Sequence, residues 1–188
     1  MSLAAFLTTV VGALVEAKVP FMLTGSLATA FHGRTRATQD VDLVVDPAAL
    51  QLPALVRSLT AAGLYVSMDA AQEALSTGGQ FNAIDPGSGW KADLIIRRSR
   101  EFSTVEFQRR QPAVVLGIEV PIVTLEDLII AKLEWSELGN SETQRRDILG
   151  LMEDAGTSLD RGYIERWVEE LGLQSAWQRI GSSTPESG

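Results

Sequence analysis

The sequence predicts an α/β chain: a mixed β-sheet flanked by helices over residues 1–120, then a C-terminal helical region over 121–181. Three observations predict it. Short apolar runs with strand character, "FMLTG", "QDVDLVVD" and "WKADLIIR", alternate with helical periodicity in the first part. After "AVVLGIEVPIV" the apolar residues recur only at helical spacing. The length of 188 residues, 45% hydrophobic and 21% charged, suits one domain with a small appendage and a real core.

The elements follow in order. Leu3, Phe6, Leu7, Val10, Val11, Leu14 and Val15 recur at helical spacing, predicting a helix over 2–18 that Pro20 ends. "FMLTG" is a short strand, and "SLATAFHG" a helix opened at Ser26 and stopped at Gly33. "QDVDLVVD" is a strand. "PAALQLPALVRSLTAAG" is a helix with Pro47 in its first turn and Asp46 as its cap. Over 64–89, "YVSM" and "FNAI" read as strands, with "STGGQ" and "DPGSG" as turns. "WKADLIIR" is a strand, 101–110 a short helix, and "AVVLGIEVPIV" a hairpin pivoting near Gly117. "TLEDLIIAKLEWSEL" is an amphipathic helix capped by Thr124, with Asp127 three residues on. Helices are expected over 142–154, 160–171 and 173–180, with a disordered tail over 182–188.

Composition removes several function classes. There is no cysteine, hence no disulfide, thiolate metal site or Cys nucleophile. His32 is the single histidine, which argues against zinc and Ser-His-Asp chemistry. The apolar N-terminal run lacks a basic lead and is broken by Glu16 and Lys18, so it reads as a helix and not a signal peptide. No run is long enough to span a membrane, and a cytoplasmic location is expected. A net charge of −8 argues against general nucleic-acid coating. Lys91, Arg97, Arg98, Arg100, Arg109 and Arg110 nevertheless form a basic segment, either a grip for a phosphorylated substrate or a solvated strand end and helix face.

The chemistry concentrates in "LTGSLATAFHGRTRATQDVDLVVD". Strand alternation points Asp40 and Asp42 to one face while Val41 and Leu43 face the core. Two such carboxylates repel unless a cation stands by them, and Mg²⁺ takes oxygen ligands of this kind together with substrate phosphates. Asp93 in "KADLII" supplies a third acid if its strand lies beside the first. Three carboxylates can hold two metals for in-line phosphoryl displacement. Gly25 lets the backbone approach a phosphate, and Ser26 adds free N–H groups at a helix start and a hydroxyl.

This combination, Gly25-Ser26 before Asp40-x-Asp42 and a later strand Asp93, resembles the nucleotidyltransferase superfamily related to DNA polymerase β. "GRTRATQDVDLVV" looks like its small bacterial members. "PIVTLEDLIIAKLEW" and "RRDILGL" resemble the helical half of the abortive-infection-type (AbiEii-like) nucleotidyltransferase toxins, which are usually longer. The likeness covers residues 20–150. It implies a nucleotidyltransferase-type mixed sheet and transfer of an NMP from an NTP to an acceptor hydroxyl, with pyrophosphate released. It implies two Mg²⁺ ions on Asp40, Asp42 and Asp93, with Asp93 activating the acceptor. Gly25, Ser26, Arg36, Lys132 and Asp147 would contact the nucleotide or line its site. The acceptor would be RNA such as tRNA, a protein or a small molecule, and a cognate antitoxin is a further partner to consider.

Plainer readings stand beside these. Asp40 and Asp42 could be edge-strand charges that block aggregation, and Asp93 a structural acid. Lys132 could be a snorkelling lysine, Asp147 an ion-pair partner of Arg145 or Arg146, and Arg34 and Arg36 braces for the acidic strand. His32 reads as packed or capping, and Trp135, Trp167 and Trp177 as core residues. A catalytically weak nucleotide-binding or protein-interaction module of the same fold is the alternative function. An Asp-x-Asp glycosyltransferase leaves the Gly-Ser turn unexplained.

Overall fold

A computed structural model describes residues 1–33, 40–139 and 141–181. The described residues fall into two compact units. The first comprises Met1–Ala28 and the described part of Arg36–Val123, the second the described parts of Thr29–Thr35 and Thr124–Gly188. Arg34, Arg36 and the tail over 182–188, each the subject of an expectation above, lie outside the described residues.

The first unit is built on a seven-stranded mixed sheet. Its strands are β1 (Phe21–Thr24), β2 (Asp40–Val45), β3 (Tyr65–Val66), β4 (Gln80–Ile84), β5 (Lys91–Ile96), β6 (Gln111–Val115) and β7 (Ile118–Ile122), in the order β3-β4-β5-β2-β1-β7-β6. The central trio carries the argument: β1 runs antiparallel to β2, and β2 parallel to β5. In β2, Val41, Leu43 and Val45 are fully buried while the residues between them are half-exposed, the alternation that a half-buried strand requires. Ala92 and Leu94 of β5 repeat it. Helix α1 (Leu3–Glu16) seals the core with Phe6, Leu7, Val10 and Leu14. The β6–β7 hairpin turns at Leu116 and Gly117, both at positive φ, as the glycine signal predicts.

Helix α2 (Gly25–Phe31) follows β1 directly. Helix α3 (Leu52–Ala61) starts five residues later than Pro47 suggests. A helix begun at Pro47 would carry Pro53 in its interior, losing a hydrogen bond and clashing one turn back. Pro53 instead occupies the first turn. Gln51 secures the preceding loop, donating to Lys18 O (2.6 Å) and accepting from Ala48 N–H (2.8 Å). Asp46 is accordingly no helix cap: its carboxylate pairs with Arg97 Nε at 3.0 Å.

"YVSM" contributes only the short β3, and α4 (Met68–Thr77) follows where no helix was expected. Ser67 caps it by accepting from Ala70 N–H (3.2 Å), and Gly78 closes it at φ 69°. Its buried residues are Ala71 and Ala74, too small to print an apolar stripe on the sequence. Helix α5 (Glu101–Arg109) completes this unit.

The second unit is helical, with α6 (Leu125–Gly139), α7 (Glu142–Ala155), α8 (Arg161–Glu170) and α9 (Gln174–Gly181). Ile129, Ile130 and Leu133 of α6, Ile148 and Leu151 of α7 and Ile164 of α8 are fully buried. Thr124 and Asp127 form the expected cap: Asp127 N–H donates to Thr124 Oγ1 (3.4 Å), whose hydroxyl donates to Asp127 Oδ2 (2.6 Å). Tyr163 Oη donates to the other Asp127 oxygen at 2.6 Å, tying α8 to the start of α6. Trp135 is 48% exposed and so not the core residue its type suggests, whereas Trp167 is buried. Among the described residues, no helix is long and apolar enough to cross a membrane.

Candidate active site

Strand register assembles the acids. Asp42 of β2 lies directly opposite Asp93 of β5, and Asp40 opposite Lys91. On the other flank of β2, Thr24 at the end of β1 lies opposite Asp42, so the chain leaving β1 passes over that carboxylate. Gly25 takes φ +65°, and a Cβ there would fall 1.8 Å from Asp42 Oδ2. Only glycine fits this close approach. Ser26 N–H donates to Asp42 Oδ2 at 3.4 Å.

The electrostatics of this face turn on Lys91, which the sequence reading counted only as part of a basic segment. Two carboxylates about 5 Å apart repel by roughly 3 kcal/mol at an effective dielectric near 20, so the cluster needs a cation. Lys91 Nζ lies 3.2 Å from Asp93 Oδ2 and 3.5 Å from Asp40 Oδ1. Burial pulls the Lys91 ammonium toward deprotonation, but Asp93 and Asp40 outweigh it and hold its pKa above the ordinary lysine value. Strand alternation was the signal that would have found it, since Lys91 shares a face with Asp93 across the buried Ala92.

Among the described residues, no group of three or more His, Cys, Asp or Glu side chains stands gathered as a metal site. Among these residues, Lys91 places a cation between Asp40 and Asp93. The donor set nonetheless fits a hard divalent ion. It offers carboxylate oxygens alone, and Asp93 Oδ1 is buried with no hydrogen-bond partner, a position such an ion would satisfy.

The other expected site residues are placed as follows. Lys132 and Asp147 belong to the second unit, where they meet each other: Nζ lies 2.8 Å from Asp147 Oδ2 and donates to Gln144 Oε1 at 3.0 Å. Both are buried. Much of the basic segment is engaged within the first unit. Arg97 pairs with Asp46, Arg100 donates to Ser103 Oγ (3.0 Å), and Arg110 lies 4.2 Å over the Phe107 ring. "DPGSG" is the turn it resembles, with Ser88 and Gly87 N–H donating to the Asp85 carboxylate. His32 packs edge-on to Phe31.

No family model matches the chain, and no curated protein matches it. Solved structures do match in fold. The crystal structure of ANT(2'')-Ia in complex with adenylyl-2''-tobramycin superposes with a TM-score of 0.57 at 16% identity, covering 93% of this chain and 98% of that one. An antigenic nucleotidyltransferase-like protein from Paracoccidioides brasiliensis gives 0.55 at 17% identity, covering 96% and 88%. The lincomycin-bound lincosamide antibiotic adenylyltransferase LnuA gives 0.53 at 14% identity, covering 80% and 96%. At these identities the likeness is one of fold, and the mixed sheet flanked by helices that this chain forms is the fold of nucleotidyltransferases.

Proposed function

We propose that the protein is a metal-dependent nucleotidyltransferase that moves a nucleoside monophosphate from an NTP to an acceptor hydroxyl and releases pyrophosphate. The observation that carries this reading is the convergence of Gly25, Asp42 and Asp93 on one sheet face through strand register, within a fold shared with nucleotidyltransferases.

In the reaction, the acceptor oxygen bonds to the α-phosphorus while the bond from that phosphorus to the pyrophosphate oxygen breaks. The acceptor proton passes to Asp93 through Oδ2, the oxygen that Lys91 Nζ approaches at 3.2 Å before nucleotide binds. Asp40, Asp42 and Asp93 would hold Mg²⁺, one ion or two, which when bound neutralises triphosphate charge and acidifies the acceptor hydroxyl. The glycine at position 25 keeps the backbone low over Asp42, leaving Ser26 to face the donor phosphates. Such chemistry needs positioning and charge neutralisation and no histidine or cysteine. Nucleotide contacts from Arg36, Lys132 and Asp147 rest on the motif resemblance. For the last two, the buried Lys132–Asp147 pair favours a second reading, in which they brace α6 against α7.

For the acceptor we favour a small molecule. The chain matches the whole span of ANT(2'')-Ia, whose complex holds an adenylylated antibiotic, and its charge of −8 suits a cationic acceptor better than a polyanion. A toxin role with a cognate antitoxin rests on the motif resemblance, and a cytoplasmic setting on the NTP donor. The test is transfer of label from α-³²P NTPs to tobramycin, lincomycin, tRNA or a protein mixture, with Asp42→Asn as control. Label on a small molecule, lost in the variant, is expected. Label on tRNA or protein would overturn the acceptor class, and no transfer together with no NTP binding would overturn the enzyme.

A further inference from the structure

We propose that Lys91 is a built-in counter-ion that keeps bare divalent metal out of the carboxylate cluster and yields its place only when the metal arrives with nucleotide phosphates. The inference rests on the nucleotidyltransferase reading above.

Lys91 stands on β5, opposite Asp40 and two residues before Asp93, with its ammonium within 3.5 Å of a carboxylate oxygen of each. Its side chain is one-third exposed, so the ammonium is held by the two carboxylates without being sealed in the core. A metal ion entering alone competes with this ammonium for the same two carboxylates and repels it, with no new anion to receive it. A metal ion entering on a triphosphate brings its own anionic oxygens, which accept the displaced ammonium. The pairing therefore couples metal binding to nucleotide binding, since each ligand lowers the cost of moving Lys91 for the other. Asp93 Oδ1 marks where the incoming ion gains: Lys91 serves Oδ2 and leaves Oδ1 buried without a hydrogen bond.

The test is binding of Mn²⁺ followed by its electron paramagnetic resonance signal, alone and with α,β-methylene ATP, which cannot transfer its nucleotide. Wild-type protein and the Lys91→Met and Lys91→Arg variants are compared, with circular dichroism and thermal unfolding confirming the fold. The wild type should bind Mn²⁺ weakly alone and about tenfold or more tightly with the analogue. Lys91→Met should bind bare Mn²⁺ about tenfold more tightly than wild type and lose most of the coupling, and its metal-free form should melt lower. Lys91→Arg should retain the coupling. Unchanged or weaker bare-Mn²⁺ binding by folded Lys91→Met would overturn the inference while leaving the enzyme reading intact, provided the wild type still binds Mn²⁺ with the analogue. Loss of coupling in folded Lys91→Arg would overturn it too. A wild type that binds neither Mn²⁺ nor the analogue would overturn both.

Discussion

Asp42 and Asp93 are direct register partners on the parallel strands β2 and β5. Gly25 faces the first of them so closely that no side chain fits between. Three segments distant in sequence thus meet at one carboxylate pair.

Gly25→Ala should disable the site. The substitution forces a Cβ into Asp42 Oδ2 and a non-glycine residue into φ +65°, the latter costing about 1–2 kcal/mol. Urea unfolding should show a loss of that order or larger, and titration with Mg²⁺ and NTP should show affinity lost beyond what destabilisation explains. Wild-type affinity in Gly25→Ala would mean that the close approach plays no part in binding.

Lys132→Met should destabilise the second unit strongly. It leaves Asp147, now buried at the 2.8 Å contact, without that cation, and breaking a buried pair costs roughly 3–5 kcal/mol. The double variant Lys132→Met/Asp147→Leu should recover most of the loss, because the buried carboxylate that lost its Lys132 partner is then gone too. Equal destabilisation of the single and double variants in urea would contradict this account of the pair.

The Asp85 turn should contribute acid sensitivity. The Ser88 hydroxyl holds the Asp85 pKa below the ordinary carboxylate value; burial opposes it, and the Gly87 N–H and the N-terminal ammonium assist. A depressed folded pKa gives stability that is present above the unfolded value, near pH 4, and lost as pH falls through the folded value. Ser88→Ala should therefore lower stability at pH 7 and flatten its fall between pH 5 and pH 2. Parallel wild-type and variant curves over that range would count against the turn as an acid-sensitive element.

Much of this was legible in the sequence for local reasons. The alternation around Asp40 and Asp42, the Gly25-Ser26 turn, the hairpin at Gly117 and the Thr124–Asp127 cap are each written within a few residues, and each stands where its pattern places it. The unread features depend on distant partners or on small side chains. Asp46 looked like a cap because its partner, Arg97, lies beyond β5. Helix α4 buries only alanines, so its face printed no apolar stripe. Lys91 looked like part of a basic run because its carboxylate partner on β2 appears only once β2 and β5 are in register. The Lys132–Asp147 pair likewise requires α6 and α7 to be packed together.

The most direct measurement is calorimetric titration of the purified protein with each of the four NTPs, with and without Mg²⁺, beside Asp42→Asn and Asp93→Asn variants whose folding is verified by circular dichroism. The account predicts binding of at least one NTP that requires Mg²⁺ and is lost in both variants. Metal-dependent NTP binding that survives intact in both folded variants would contradict it, since the Asp42–Asp93 pair could not then be the site.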